Sequence, residues 1–281
     1  MRRAQFAALG VLMCALATAG PAGAGSLERV SMPAAGVPGG SLIGYVMRPD
    51  TPAPAGIKRP AVVALHGCGG VFRADGSQQA RDEDWGRRLA SQGFVVVFPD
   101  SFGSRNLGPQ CTVKNRAILP RQRADDAIAA ARWLASEPDV DAGRIALLGW
   151  SHGGSSTLWT VDARRTGDMP FKTAIAFYPG CRPFAEAAAW SSKIKLLLLM
   201  GAADDWTPPE PCRQIAARTN VRFIEYPGAY HGFDAPNSPV RVRTGLTFSA
   251  DGSGRAHIGT DPAARAAAIE EVGRTLAAML R

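Results

Sequence analysis

The pentapeptide Gly149-Trp150-Ser151-His152-Gly153 sets a serine between glycines with the spacing G-x-S-x-G, at the end of the apolar run "RIALLGW" (144 to 150). At a sharp strand-to-helix turn such a hydroxyl stands clear of the sheet as a nucleophile, and the N–H groups of the coming helix favour negative charge beside it. Serine is a weak nucleophile near neutral pH. It needs a base to take its proton, and the base needs a carboxylate to orient it. With the nucleophile on such a turn, the partners are expected in the order serine, acid, histidine, each on a loop after a later strand. Of the four histidines, His66 and His152 lie within glycine-rich motifs and His257 in an irregular segment, whereas His231 falls in "YPGAYHGFD", just after a strand-like run. His231 is the expected base. The acid is expected in "GAADDWTPP", where Asp204 is favoured at the tip of the turn and Asp205, which can cap the coming helix, is the alternative. Asp100 is the outside candidate, since it precedes the serine in the chain.

Acyl transfer passes through an oxyanion that needs two fixed N–H donors. The loop "HGCGG" (66 to 70), directly after "AVVALH", is expected to bring one from Cys68, and His152 N–H is expected to supply the other. Trp150, Tyr178 and Trp206 flank the motifs and are candidates for lining a substrate pocket, although aromatic residues beside strands also serve packing. Arg105, Arg116 and Arg182 are candidates to receive an anionic substrate, set against the plainer reading of solvated loop arginines.

These residues need a scaffold that ends several strands on one side. The runs "AVVALH" (61 to 66), "FVVVFP" (94 to 99), "RIALLGW" (144 to 150), "TAIAFYP" (173 to 179), "KLLLLM" (195 to 200) and "VRFIEYP" (221 to 227) read as strands. Their near-continuous hydrophobicity points to an α/β fold, a mostly parallel central sheet with helices on both faces. "SLIGYVMRP" (41 to 49) reads as a leading edge strand. Helices are expected at "DEDWGRRLASQG", at "RQRADDAIAAARWLASEP" before its terminating Pro138, just after Ser151, at "PPEPCRQIAARTN" and from Asp261-Pro262 to the end. The segment 235 to 260 breaks the pattern with Pro, Gly and Ser and is expected to be an excursion near the last strand, with a hairpin as one form.

At 281 residues, with 46% hydrophobic and 20% charged, the chain has ample material for a core. Residues 1 to 24 combine two arginines, a short apolar stretch and the ending Ala22-Gly23-Ala24, which reads as a secretory signal peptide cleaved after Ala24. The apolar stretch is too short for a comfortable membrane anchor. A periplasmic or secreted protein is expected, with one domain over 25 to 281. Removing the leader takes the formal net charge from +8 to +6. The basic residues are scattered rather than gathered into a stripe with aromatics, so nucleic acid is not an expected partner.

Four cysteines then remain, Cys68, Cys111, Cys181 and Cys212. No two stand at short ligand spacing, so no metal site is expected. An even number suits an oxidising compartment. Cys68 and Cys111 lie on loops after consecutive strands, as do Cys181 and Cys212, and the expected bridges are Cys68–Cys111 and Cys181–Cys212.

Taken in order, "LHGCGG", "PDSFGSR", "GWSHGG", "GAADDWTPPEPC" and "YPGAYHGFD" resemble the α/β-hydrolases and, within them, the dienelactone hydrolase family. The resemblance covers nearly the whole chain after residue 24. It implies an α/β-hydrolase fold and a hydrolase of ester, thioester or lactone bonds in small molecules, working through an acyl-enzyme without metal or organic cofactor. One departure matters: the namesake enzymes carry a cysteine where this chain has Ser151. An exported carboxylesterase therefore fits better than the namesake lactone reaction. A serine peptidase or acyltransferase on the same scaffold, and a binding protein that kept the fold without catalysis, are the rival readings.

Overall fold

Apolar runs that do not alternate cannot leave one face in water, because successive strand residues point to opposite sides of a sheet. In the computed structural model, which describes residues 26–279, these runs form the parallel strands β3 (Arg59–Leu65), β4 (Val95–Pro99), β5 (Val140–Trp150), β6 (Thr173–Phe177), β7 (Lys195–Gly201) and β8 (Arg222–Tyr226). Every residue of β4 and of β6 is buried, so both faces of the sheet are covered there. With β1 (Glu28–Pro33) and β2 (Ser41–Met47) they make eight strands in the order β1-β2-β4-β3-β5-β6-β7-β8. Strand β2 runs antiparallel to both neighbours, β1 and β4. The leader expected over residues 1 to 24 lies outside the described residues.

One expectation about the sheet is corrected. "SLIGYVM" is not the edge, because β1 pairs along its full length from Glu28↔Val46 to Pro33↔Ser41. Of the six residues of β1 only Met32 is buried, so the strand has no apolar run that would mark it in the sequence.

The five crossovers from β3 to β8 are helical, α1 (Ala80–Ser91), α2 (Pro120–Ser136), α3 (His152–Thr160), a short α4 (Arg182–Glu186) and α5 (Glu210–Arg218), and α6 (Pro262–Ala277) lies after β8. Helix α1 buries Trp85 and Leu89, and α2 buries Ala127, Ile128, Ala131 and Leu134, the helical spacing read in the sequence. Asp261 caps α6 by accepting from Ala264 N.

The segment after β8 contains the two-stranded antiparallel ribbon β9 (Arg241–Arg243) and β10 (Ala256–Ile258). Its root is clasped by Ser238 N–H donating to Thr260 Oγ1 at 2.8 Å and Thr260 N–H donating to Ser238 O at 2.6 Å. The two disulfides, Cys68–Cys111 and Cys181–Cys212, pair as expected; Cys68 and Cys111 lie on loops, whereas Cys212 lies in the first turn of α5 rather than on a loop. The loops after β3, β5, β7 and β8 leave the same edge of the parallel sheet, and they carry Cys68, Ser151, Asp204 and His231 respectively.

Candidate active site

Ser151 holds φ 55° and ψ −114°, a conformation a side-chain-bearing residue adopts only under constraint. Two close approaches enforce it. A Cβ on Gly153 would stand 2.0 Å from Leu65 O, and one on Gly149 would stand 2.4 Å from Gly153 O, so only glycine lets β5, α3 and β3 meet this tightly. Ser151 N–H donates to Phe177 O at 2.9 Å, which pins the turn to β6.

His231 Nδ1 lies 2.8 Å from Asp204 Oδ2. A carboxylate accepts, so Nδ1 carries the proton of this contact. Asp204 Oδ1 accepts from the backbone N–H groups of Trp206 at 2.9 Å and Thr207 at 2.8 Å, and Thr207 Oγ1 stands 3.0 Å from Oδ2. Asp205 faces elsewhere. Its carboxylate accepts from His257 N–H at 2.8 Å and lies 2.7 Å from His257 Nδ1, which ties the acid loop to β10. Asp100 is occupied in its own turn, accepting from Gly103 N–H at 2.8 Å.

Ser151 and His231 border one cavity of about 460 Å³. Gly67 to Gly70 line it too, Cys68 among them. Cys68 N–H and His152 N–H donate to no backbone carbonyl among the described residues. His152 N–H opens α3 and therefore has no carbonyl one turn earlier to receive it.

The aromatic expectation is corrected in two of its three members. Trp206 lines the cavity and packs its ring 4.6 Å from that of His231. Trp150 and Tyr178 do not line it: both are fully buried. Their polar tips, with that of Trp85, converge on Asp234, which accepts from Trp85 Nε1 and Trp150 Nε1 at 2.8 Å each and from Tyr178 Oη at 2.6 Å. Burial first, then the nearby Asp234 charge, push the Tyr178 phenol well above its ordinary range, so it stays a donor. Tyr178 does pack against His231, with ring centroids 4.4 Å apart.

A model of the dienelactone hydrolase family matches residues 42–280. The chain belongs to the dienelactone hydrolase family. Two solved structures share the fold of this family member. One, from Klebsiella pneumoniae and provisionally named a dienelactone hydrolase, is 19% identical with a TM-score of 0.64, covering 90% of this chain and 98% of the other. The second is a dienelactone hydrolase-like promiscuous phosphotriesterase from metagenomic libraries, 19% identical at TM-score 0.64, covering 92% and 100%. Among curated relatives, a probable dipeptidyl-aminopeptidase B of Fusarium vanettenii is 34% identical over 140 residues, 41% of this chain and 15% of that protein's length. Family membership makes the protein a hydrolase.

What the sequence reading missed in this dienelactone hydrolase family member is the charge of the cavity. Arg105 is spent on the buried Asp126, and Arg116 on Gln110 O and the face of Phe248. The arginines that do line the cavity are Arg73, Arg81, Arg241 and Arg243, and no Asp or Glu lines it with them among the described residues. Arg81 is balanced by Asp82, at 2.6 Å. Arg73, Arg241 and Arg243 form no salt bridge among the described residues, and burial together with the Arg241 charge lowers the Arg243 guanidinium from its ordinary range. The signal was present as "RVR": period-two alternation in an extended segment puts Arg241 and Arg243 on one face.

Proposed function

We propose that the protein is a serine hydrolase of small carboxylic esters that carry negative charge. The observation that supports this most is the His231–Asp204 pair bordering the same cavity as the strained Ser151. In the proposed reaction His231 Nε2 takes the proton of Ser151 Oγ as the oxygen attacks the ester carbonyl. Asp204 holds the ring and balances the imidazolium. The oxyanion is held by the N–H groups of Cys68 and His152. The imidazolium then protonates the leaving alcohol, and water repeats the sequence on the acyl-enzyme. Ser151 Oγ makes no side-chain hydrogen bond among the described residues, and its contact with Nε2 forms when substrate fills the cavity, as catalytic contacts commonly tighten in the complex.

The rival reading as a peptidase takes its support from the dipeptidyl-aminopeptidase relative, which this chain matches over 15% of that relative's length. A free amino terminus carries positive charge, and like charges brought face to face are disfavoured. Four arginines and no acid among the lining residues favour an anionic ester instead. Two disulfides fit an oxidising compartment, and with the leader they support export after Ala24.

The test is labelling with a fluorophosphonate, followed by rates on p-nitrophenyl acetate, the p-nitrophenyl monoester of succinate and a peptide anilide. We expect labelling at Ser151, none in Ser151→Ala, and the fastest turnover on the succinate monoester. Labelling that survives Ser151→Ala, or preference for the anilide, ends this reading.

A further inference from the structure

Arg123, in the first turns of α2, is fully buried, and the triad chemistry gives it no task. A guanidinium taken out of water needs good reasons to be there. Its three nitrogens reach three different segments. Nη2 donates to His66 O at 2.9 Å, Nη1 lies 2.8 Å from His152 Nδ1, and Nε donates to Ser101 Oγ at 3.0 Å. The group also lies over the Phe102 ring, 5.1 Å from its centroid. The three segments are the loops after β3 and β4 and the first residue of α3 after β5, and the first and last of the three carry the N–H groups assigned above to the oxyanion.

We infer that Arg123 is the positioning residue of the oxyanion site, a single buried cation that fixes both donors against each other. His66 O belongs to the peptide immediately before the one that carries Cys68 N–H, so a bond to it sets the direction in which the "HGCGG" loop leaves the sheet. The bond to Nδ1 sets the side chain of the residue whose own N–H is the second donor. A planar fork with fixed angles can hold two segments in one geometry, and a lysine ammonium, a point charge on a flexible stem, cannot.

Protonation states agree with this arrangement. A guanidinium only donates, so His152 Nδ1 must accept and the proton sits on Nε2. Burial first, and then the Arg123 charge, hold both His66 and His152 well below the ordinary imidazole range, so neither ring competes for positive charge. Burial pushes Arg123 itself down to about 10, which leaves it charged at neutral pH.

The inference rests on the esterase reading, and its test is arranged so that the two fail separately. In Arg123→Lys, kcat on p-nitrophenyl acetate is expected to fall on the order of 100-fold, the size typical of misplaced reacting groups. KM should change by less than about threefold. The inhibition constant of phenylboronic acid, whose tetrahedral adduct puts an oxygen in the oxyanion site, should rise by the factor by which kcat/KM falls. Methylguanidinium added to Arg123→Ala should restore part of kcat. A folded Arg123→Lys with unchanged kcat, or a loss of kcat that leaves boronate affinity intact, overturns the inference. Nitrogen NMR of labelled His152 in the unmutated protein needs no variant and no substrate: the Nε2–H tautomer is expected across neutral pH, and a proton on Nδ1 overturns it. Absence of fluorophosphonate labelling in the unmutated protein would instead remove the esterase reading.

Discussion

Adjacent aspartates 204 and 205 show how one residue of displacement changes a role. Asp204 meets the imidazole of His231 and two backbone donors, while Asp205 points to the ribbon and holds His257. Asp204→Asn is expected to lower kcat on the order of 10⁴-fold, because the amide no longer selects the Nδ1–H tautomer. Asp205→Asn should leave kcat nearly unchanged and raise KM for the anionic ester, since it loosens the segment that carries Arg241 and Arg243. Steady-state rates on the succinate monoester separate the two, and equal losses of kcat would contradict the division. Asp234 is the third acid with a distinct task. Its removal in Asp234→Ala leaves three buried donors unpaired, at about 1 to 3 kcal/mol each, and urea midpoints should fall accordingly. The frame around Asp204 and His231 was legible because each follows an apolar run by a fixed short interval. Asp234 was not, because its partners Trp85 and Trp150 lie 149 and 84 residues away in the chain and no local pattern announces them.

Among elements, the strands buried on both faces declare themselves by their unbroken apolar runs, and the bridges follow from which loops neighbour each other. Strand β1 escaped for the complementary reason, an edge position with one buried residue among six. The two disulfides have different neighbours and should behave differently. Cys181 and Cys212 join the start of α4 to α5, away from the cavity lining, so the double alanine variant should lose about 2 to 4 kcal/mol of stability with kcat retained. Cys68 and Cys111 both line the cavity, and Gln110 N–H donates to Cys68 O at 2.7 Å, so this bridge braces the loop that carries a proposed oxyanion donor. Replacing this pair should reduce kcat as well as stability. Urea unfolding measured beside turnover distinguishes the pairs; a kcat loss confined to the Cys181–Cys212 variant would refute the assignment.

For the molecule as a whole, the histidines at the heart of the sheet edge set an acid limit. Burial and the Arg123 charge keep His66 and His152 from binding protons in the native state, whereas the unfolded chain takes them up below its ordinary value of 6.5. Their contribution to stability is therefore complete above that pH and is lost as pH falls, at up to roughly 1.4 kcal/mol per pH unit for each ring. Buried Asp82 and Asp100, which burial raises above the ordinary carboxylate range, act in the opposite sense closer to their own range. The urea midpoint is expected to drop between about pH 7.5 and 5.5; a flat profile would show that neither ring is held neutral by the fold.

The clasp between Ser238 and Thr260 has a consequence for how such a protein can change. Because the two ends of the ribbon meet, the residues between them can be lengthened, shortened or exchanged without moving the strand before or the helix after. Arg241 and Arg243 are thus carried on a patch clasped at its root, which touches the rest through Gly259 N–H donating to His231 O at 3.1 Å and through the bond from His257 to Asp205. Under the proposed reading, exchanging that patch would alter one wall of the cavity and leave Arg73, Arg81 and Trp206 in place.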